Sequence, residues 1–126
     1  MNVYATSNAP AAIGPYSQAT GLGSLVFLSG QIPLDPATGA LVTGDIKAET
    51  EQVMKNLGAV LTEAGSSFDQ VLRCTIYLTS MDDFQAVNEV YATRFPGNKP
   101  ARATVQVAGL PRGARVEIDA IAHRNE

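Results

Sequence analysis

Cysteine and histidine are almost missing from this chain, with one of each in 126 residues. A single cysteine excludes an internal disulfide, and one Cys with one His excludes the usual zinc constellations. The same scarcity leaves no Ser–His or Cys–His arrangement for nucleophilic catalysis. Charge is sparse as well: 17% charged residues and a formal net charge of -3 give no support to general phosphate-backbone binding. No uninterrupted apolar run is long enough for a bilayer, and no signal-peptide pattern precedes the first strand-like residues. Repeats, charge blocks, low-complexity tracts and linker-like composition shifts are all lacking. The expectation is a metal-free cytoplasmic protein with a single domain over residues 1–126. At 45% hydrophobic residues, it can build a core without staples.

The richest stretch is Pro100 to Ala122, PARATVQVAGLPRGARVEIDAIA. It reads as two strands joined by a turn at Leu110-Pro111-Arg112-Gly113. Ala103, Val105 and Val107 alternate with Arg102, Thr104 and Gln106; Val116, Ile118, Ala120 and Ala122 alternate with Arg115, Glu117, Asp119 and Ile121. Successive side chains of a strand point to opposite faces. If the apolar faces share a core, Arg102, Thr104, Glu117 and Asp119 emerge together on the other side. A guanidinium and carboxylates on one wall can hold a small carboxylate ligand and place a water. Such charges are also common on a merely solvated sheet face, so the pattern needs support from the rest of the chain.

Asn2 to Ala5 reads as an edge strand, and Ala9 to Gly14 as a turn-rich segment leading into Pro15-Tyr16-Ser17-Gln18. Tyr16, beside Gly14 and Pro15, either packs or walls a pocket. Leu25 to Gln31 is a strand ending at Ser29-Gly30, and Pro33 to Gly44 a loop. Asp45 to Ala64 is a helix by the spacing of Ile46, Thr50, Val53, Leu57, Val60, Leu61 and Ala64. Asp45 serves as N-cap and Gly65 as the left-handed residue after the end. Gly58 marks a close approach to the sheet. Val71 to Thr79 alternates sharply, with Leu72, Cys74, Ile76 and Leu78 on one face and Arg73, Thr75, Tyr77 and Thr79 on the other. Cys74 is then a small buried hydrophobe rather than a nucleophile. Met81 to Phe95 is a second helix, started near Ser80 or Asp82, with Phe84, Val87, Tyr91 and Phe95 buried. Asn88 shares that inward side, either as a satisfied core or interface amide or as a hydrogen bonder facing a pocket. His123 is a strand-end or surface histidine.

The sum is β-β-α-β-α-β-β, an α+β chain with hairpin-like pairings. Two helices cover only one face of a five- or six-stranded sheet. The other face would carry Arg73, Thr75, Tyr77, Arg102, Thr104, Glu117 and Asp119 among Leu25, Phe27 and Ile121. That mixture is too apolar for bare solvent and too polar for a second helical layer. An oligomer with water-lined clefts between subunits resolves the conflict.

These residues resemble the Rid family, the YjgF-type reactive intermediate (enamine/imine) deaminases. The segments that carry the resemblance are Ala11–Gln18 (AAIGPYSQ), Leu28–Pro33 (LSGQIP), Gly44–Leu57, Asp83–Tyr91 and Pro100–Ala122. It implies a chorismate-mutase-like mixed sheet with two helices on one face, assembled as a homotrimer with sites at the subunit interfaces. The implied reaction is hydrolysis of 2-enamine and 2-imine acids, such as 2-aminoacrylate, to 2-keto acids and ammonia, with no cofactor and no metal. Arg102 falls where the family's carboxylate-binding arginine sits, and Glu117 where its water-positioning glutamate sits. Tyr16, Ser29, Gly30 and Asn88 match positions lining the cleft. Thr104 stands where several members carry Cys, in a role that belongs largely to the main-chain carbonyl. An already electrophilic imine needs only orientation, a water and help with transferring protons.

Three rival readings compete. A chorismate mutase would need several cations around a dianion, and only Arg102 is placed for that. A ribonuclease or translation inhibitor fits poorly with the acidic balance and the missing His-based acid/base pair, so nucleic acid is not expected as a partner. A non-catalytic, keto-acid-binding or chaperone-like trimer would carry much the same residues.

Overall fold

A computed structural model describes residues 1–97 and 99–125. Its elements are β1 (Asn2–Tyr4), β2 (Ala19–Leu22), β3 (Leu25–Gln31), α1 (Ile46–Glu63), β4 (Val71–Leu78), α2 (Phe84–Ala92), β5 (Ala101–Gln106) and β6 (Val116–His123). The six strands form one sheet in the order β1-β2-β3-β6-β4-β5. Every pairing is antiparallel except β4 with β5. That parallel pair is the product of the β4–α2–β5 crossover, since a parallel neighbour can be reached only over the face of the sheet.

Local chemistry accounts for most of these boundaries. Asp45 accepts a hydrogen bond from the Lys47 amide at 3.1 Å and so caps α1, and Gly65 turns the chain out of the helix at φ +77. Val53, Leu57, Val60 and Leu61 are buried along the inner stripe of α1. Gly58 is needed for a neighbour other than the expected sheet: an added Cβ would stand 3.1 Å from the Phe68 ring. The second helix begins later than the spacing predicts. Ser80 caps a single 3-10 turn at Met81–Asp83, accepting from the Asp82 amide, before α2 proper starts at Phe84. His123 ends β6 with its ring 3.4 Å from the Gln70 amide, as expected of a strand-end histidine.

Both helices lie on one face, against Val26, Leu28, Cys74, Ile76, Leu78, Val116, Ile118 and Ala120. The burial of Cys74 pushes its thiol pKa up to about 11, which keeps it protonated and inert. Leu72 departs from the expected inward set. A bulge between Val71 and Arg73 turns it outward, and Val71 takes its place in the core.

Two features of the sheet lie outside the strands read from the sequence, and the second matters for function. A sixth strand, β2, is present where Ala19-Thr20-Gly21-Leu22 show little strand character of their own; pairing on both sides holds it. More important, β5 and β6 are not a hairpin. Strand β4 lies between them, parallel to one and antiparallel to the other. Cys74 stands opposite Arg102 in one ladder and Ala120 in the other, whereas Thr75 stands opposite Ala103 and Asp119. Arg102 and Thr104 therefore face the helices, while Glu117 and Asp119 face away from them. The four polar groups do not share a wall.

The helix-free face carries Leu25, Phe27 and Val105, each at least 40% exposed, beside Arg73, Thr75, Tyr77, Glu117 and Asp119. Asp119 organises it, accepting from the Thr75 amide at 3.2 Å and the Tyr77 hydroxyl at 3.0 Å. That hydrogen bond, together with burial, raises the Tyr77 pKa. No helix among the described residues is long and apolar enough to cross a membrane.

Candidate functional site

The predicted site residues fall into two groups rather than one. The first surrounds Glu117 and lines a cavity of about 580 Å³ with Tyr16, Ser29, Gly30, Ile32 and Arg112. The second surrounds Arg102 and lines a cavity of about 430 Å³ with Asn88, Tyr91, Phe95 and Lys99.

Glu117 is half-buried on β6, close to a bulge in the ladder to β3. Leu28 pairs with Ala120 and Gln31 with Ile118, so Ser29 and Gly30 together face the single residue Asp119. Here the missing side chain fixes where the Glu117 carboxyl can lie. A Cβ on Gly30 would lie 2.8 Å from Glu117 Cδ and closer still to Oε2. The carboxylate thus rests against bare backbone, in space that a larger side chain at position 30 would take. Burial, and then the Asp119 charge, raise the Glu117 pKa above the ordinary carboxylate value of 4.5. Among the described residues no hydrogen bond engages its oxygens to oppose that rise.

Ser29 is near this carboxylate, but its hydroxyl is occupied, donating to the Ser17 carbonyl at 2.5 Å, while its amide donates to the Gln18 carbonyl at 3.0 Å. It fastens the Tyr16 loop to β3. Tyr16 itself is 53% exposed at the cavity edge, its amide bonded to the Gly14 carbonyl at 2.9 Å and its hydroxyl accepting from the Ile13 amide at 3.4 Å. Tyr16 therefore walls a pocket, one of the two roles its loop position allowed.

Arg102 sits on the edge strand β5 beneath α2. Its Nη1 donates to Asn88 Oδ1 at 2.5 Å. The Asn88 carbonyl oxygen is thus used on the guanidinium, and both residues line the same cavity. Tyr91 and Phe84 stand against the same guanidinium, with ring centroids 5.1 and 5.7 Å from Arg102 Cζ. Thr104 lies deeper along β5, its hydroxyl buried with no hydrogen-bond partner among the described residues.

Arg102 and Glu117 occupy strands on either side of β4 and point to opposite faces. Strand spacing alone separates them by ~10 Å, before side chains directed apart are added. One small molecule cannot touch both groups of the same chain. The chain thus presents a caged cation on one surface and a carboxylate without a hydrogen bond among the described residues on another.

Tyr91, Phe84 and Arg112 join these sites without having been singled out in the sequence. Spacings of four and three place Phe84, Asn88 and Tyr91 on one face of a helix, but their type made the two rings read as core. Arg112 has the only positive φ among the described non-glycine residues, at 59°, and its guanidinium donates to the Gly39 carbonyl at 3.2 Å. The neighbouring Gly113, also at positive φ, is the one local hint of that conformation. Among the described residues no group of three or more His, Cys, Asp or Glu side chains is placed to hold a metal ion.

Comparison with known proteins bears on these two surfaces. Residues 6–124 match the family model described as Endoribonuclease L-PSP. The chain is 60% identical to protein DfrA of Myxococcus xanthus over 119 residues, covering 93% of this chain and 91% of that protein. It is 53% identical to a Mus musculus protein named 2-iminobutanoate/2-iminopropanoate deaminase, covering 95% of this chain and 89% of the relative. Among solved structures, the Rid-family protein YyfA of Yersinia pestis superposes with a TM-score of 0.95 at 49% identity, covering 97% of this chain and 98% of that one.

Proposed function

The chain belongs to the YjgF-type Rid family, and from that premise we propose that it hydrolyses reactive 2-imino and 2-enamino acids, such as 2-aminoacrylate, to 2-keto acids and ammonia. The observation that carries this reading is the pair of complementary half-sites: a caged guanidinium that fits a carboxylate, and a carboxylate that fits a water. Arg102 takes the substrate carboxylate through two parallel N–H bonds, a geometry lysine cannot reproduce. Asn88 fixes the guanidinium through its oxygen and offers its amide hydrogens to the ligand. Glu117 holds the water and, with its raised pKa, accepts a proton as the water oxygen bonds to the imine carbon. An enamino acid first tautomerises to the imine. The proton taken by Glu117 passes to the imine nitrogen to give the carbinolamine. Glu117 then carries the carbinolamine's hydroxyl proton to the same nitrogen, so that C=O forms, the C–N bond breaks and ammonia leaves the keto acid behind. No covalent nucleophile or cofactor is invoked.

A complete site requires Arg102 of one copy to meet Glu117 of another. We therefore assign the assembly as a homotrimer whose helix-free sheet faces turn inward. Exposed Leu25, Phe27 and Val105 supply apolar contact there, and Arg73, Thr75, Tyr77 and Asp119 supply polar contact. RNA cleavage, the activity in the family model's description, is the second reading. It lacks a basic surface in a chain of net charge -3 and an acid/base histidine, since His123 is bonded at the far end of β6.

The test is keto-acid release from 2-aminoacrylate generated in situ. Arg102→Ala is expected to lose about 2–5 kcal/mol of binding or transition-state stabilisation, and Arg102→Lys nearly as much. Arg102→Ala and Glu117→Gln subunits, each inactive alone, should regain activity when unfolded and refolded together, because a mixed trimer contains an intact pair. Wild-type release by a trimeric Arg102→Ala protein would refute the anchor. A mixture that stays inactive would refute the shared site.

A further inference from the structure

Phe84, Asn88 and Tyr91 stand four and three residues apart on α2 and so form one stripe down a single face of that helix. The stripe ends on one side chain. Arg102 rises from β5 opposite Cys74 and meets all three: the Asn88 oxygen at 2.5 Å, the Tyr91 ring at 5.1 Å and the Phe84 ring at 5.7 Å. An arginine on an edge strand ordinarily samples many rotamers, and ordering it on binding weakens affinity. Ring faces oppose that freedom, because a guanidinium over an aromatic face is attracted to it and held. The Asn88 bond limits the remaining rotation.

Tyr91 is the more deeply set of the two rings, 5% exposed and tilted against Phe95 at 4.8 Å between centroids. Its hydroxyl makes no well-formed hydrogen bond among the described residues and meets only the weak Cys74 thiol, so polar contacts contribute little to its place. The ring accounts for it.

We propose that Tyr91 and Phe84 are positioning residues for the carboxylate anchor. Their ring faces hold the Arg102 guanidinium in the orientation that receives a carboxylate, so that the cation is ordered before the ligand arrives. This rests on the assignment of Arg102 as anchor. The consequence falls on binding: losing a ring leaves the charge in place but restores its mobility, so KM and the Kd of a bound keto acid rise while kcat changes little.

The experiment combines kinetics on the imine generated in situ, the Kd for 2-oxobutanoate as an unreactive probe, and the Nε–Hε resonance of Arg102 in arginine-labelled protein. The resonance is identified by its loss in Arg102→Ala. Tyr91→Leu is expected to raise KM and Kd about tenfold, the effect of one newly ordered side chain. It should also shift the resonance toward those of exposed arginines as ring-current effects are lost. Tyr91→Phe should restore both values. Phe84→Leu, at a half-buried ring, should act in the same direction and supplies the test if Tyr91→Leu does not fold. In an Arg102→Ala background neither change should affect Kd further. An unmoved resonance, or an equal rise in Kd without Arg102, would overturn the proposal. Unchanged Kd in Arg102→Ala alone would instead remove the anchor assignment, and the resonance would still report whether the rings hold the side chain.

Discussion

Arg102 and Glu117 stand on strands that flank the same neighbour, yet their surroundings differ in kind. The arginine is held on several sides by an amide oxygen and two ring faces. The glutamate rests in space left by a missing side chain at Gly30, beside the like charge of Asp119, with no hydrogen bond among the described residues to satisfy it. One group is held in place by its neighbours; the other has its pKa raised by burial and by the Asp119 charge. Under the proposed imine hydrolysis this contrast is a division of labour. A carboxylate anchor works best when it neither moves nor titrates, whereas a proton carrier works best when hydrogen bonds do not hold it in one protonation state. Placing the two on opposite sheet faces keeps Arg102 from lowering the Glu117 pKa within the free chain, and only assembly would bring such charges together.

The largest expected effect comes from removing the glutamate's side of the contrast. Glu117→Gln keeps size but cannot accept a proton, so turnover should fall about 10²- to 10⁴-fold while keto-acid Kd changes little. The pH profile sharpens the point. Because the carboxyl must be ionised to accept a proton, kcat/KM should rise with pH through the Glu117 pKa, with a limb above the ordinary value of 4.5. Asp119→Asn removes the neighbouring charge, so it should lower that pKa and move the limb to more acidic pH. The stability consequence has the opposite sign from an ion-paired carboxylate. The folded protein binds more protons than the unfolded one between the ordinary and the raised pKa, so stability falls as pH rises through that window, and Glu117→Gln abolishes the slope. A limb that stays put in both variants would show that Glu117 carries no proton.

Gly30→Ala attacks the same group indirectly. The new Cβ collides with the Glu117 carboxyl, which must swing away or push β3 outward at its bulge. A misplacement of about 1 Å at a reacting group can cost about a hundredfold in rate. The expected result is a turnover loss smaller than that of Glu117→Gln, with KM changed less because Arg102 lies outside this half-site. Loss of carboxylate binding of the same size would place Gly30 in a general folding role.

How far these contrasts could be read before the structure depends on whether their cause is local. The stripe of α1 and its Asp45 cap, and the inward Cys74, Ile76 and Leu78 of β4, are local patterns that burial obeys. Strand order is not local. The alternation in Ala101–Gln106 and Val116–His123 contains nothing to say that β4 will insert between them. Once it does, the faces reassign: Val105, apolar and apparently destined for a core, is 42% exposed on the open face, and Arg102 turns toward α2. Tyr16, Ser29, Gly30 and Glu117 do gather at one cavity and Asn88 with Arg102 at another, but two separate cavities are invisible to residue patterns that assume one wall. Strand β2 was missed for a related reason, since Ala19-Thr20-Gly21-Leu22 depends on partners rather than propensity.

The smallest expected effect tests whether Arg112, the arginine of the Glu117 cavity, belongs with the ordered anchor or merely with the loop. It lines the Glu117 cavity, yet the rise of the Glu117 pKa is traced to burial and Asp119, with no opposing contribution from Arg112. Its φ of 59° is a left-handed conformation that costs a residue with a Cβ about 1–2 kcal/mol, and its hydrogen bond to Gly39 returns about 0.5–1.5. Those two effects nearly cancel, so Arg112→Gly should leave the melting temperature close to the parent's. Arg112→Ala loses the bond and keeps the strained φ, which should make it less stable than Arg112→Gly by about 1 kcal/mol in denaturant titration. In both variants the acid limb of kcat/KM should stay where it is. An alanine variant at least as stable as the glycine one would show that the left-handed turn is not under strain. A limb displaced to higher pH in both would mean that Arg112 stabilises the ionised Glu117, and the carboxylate half-site would then have a cation of its own.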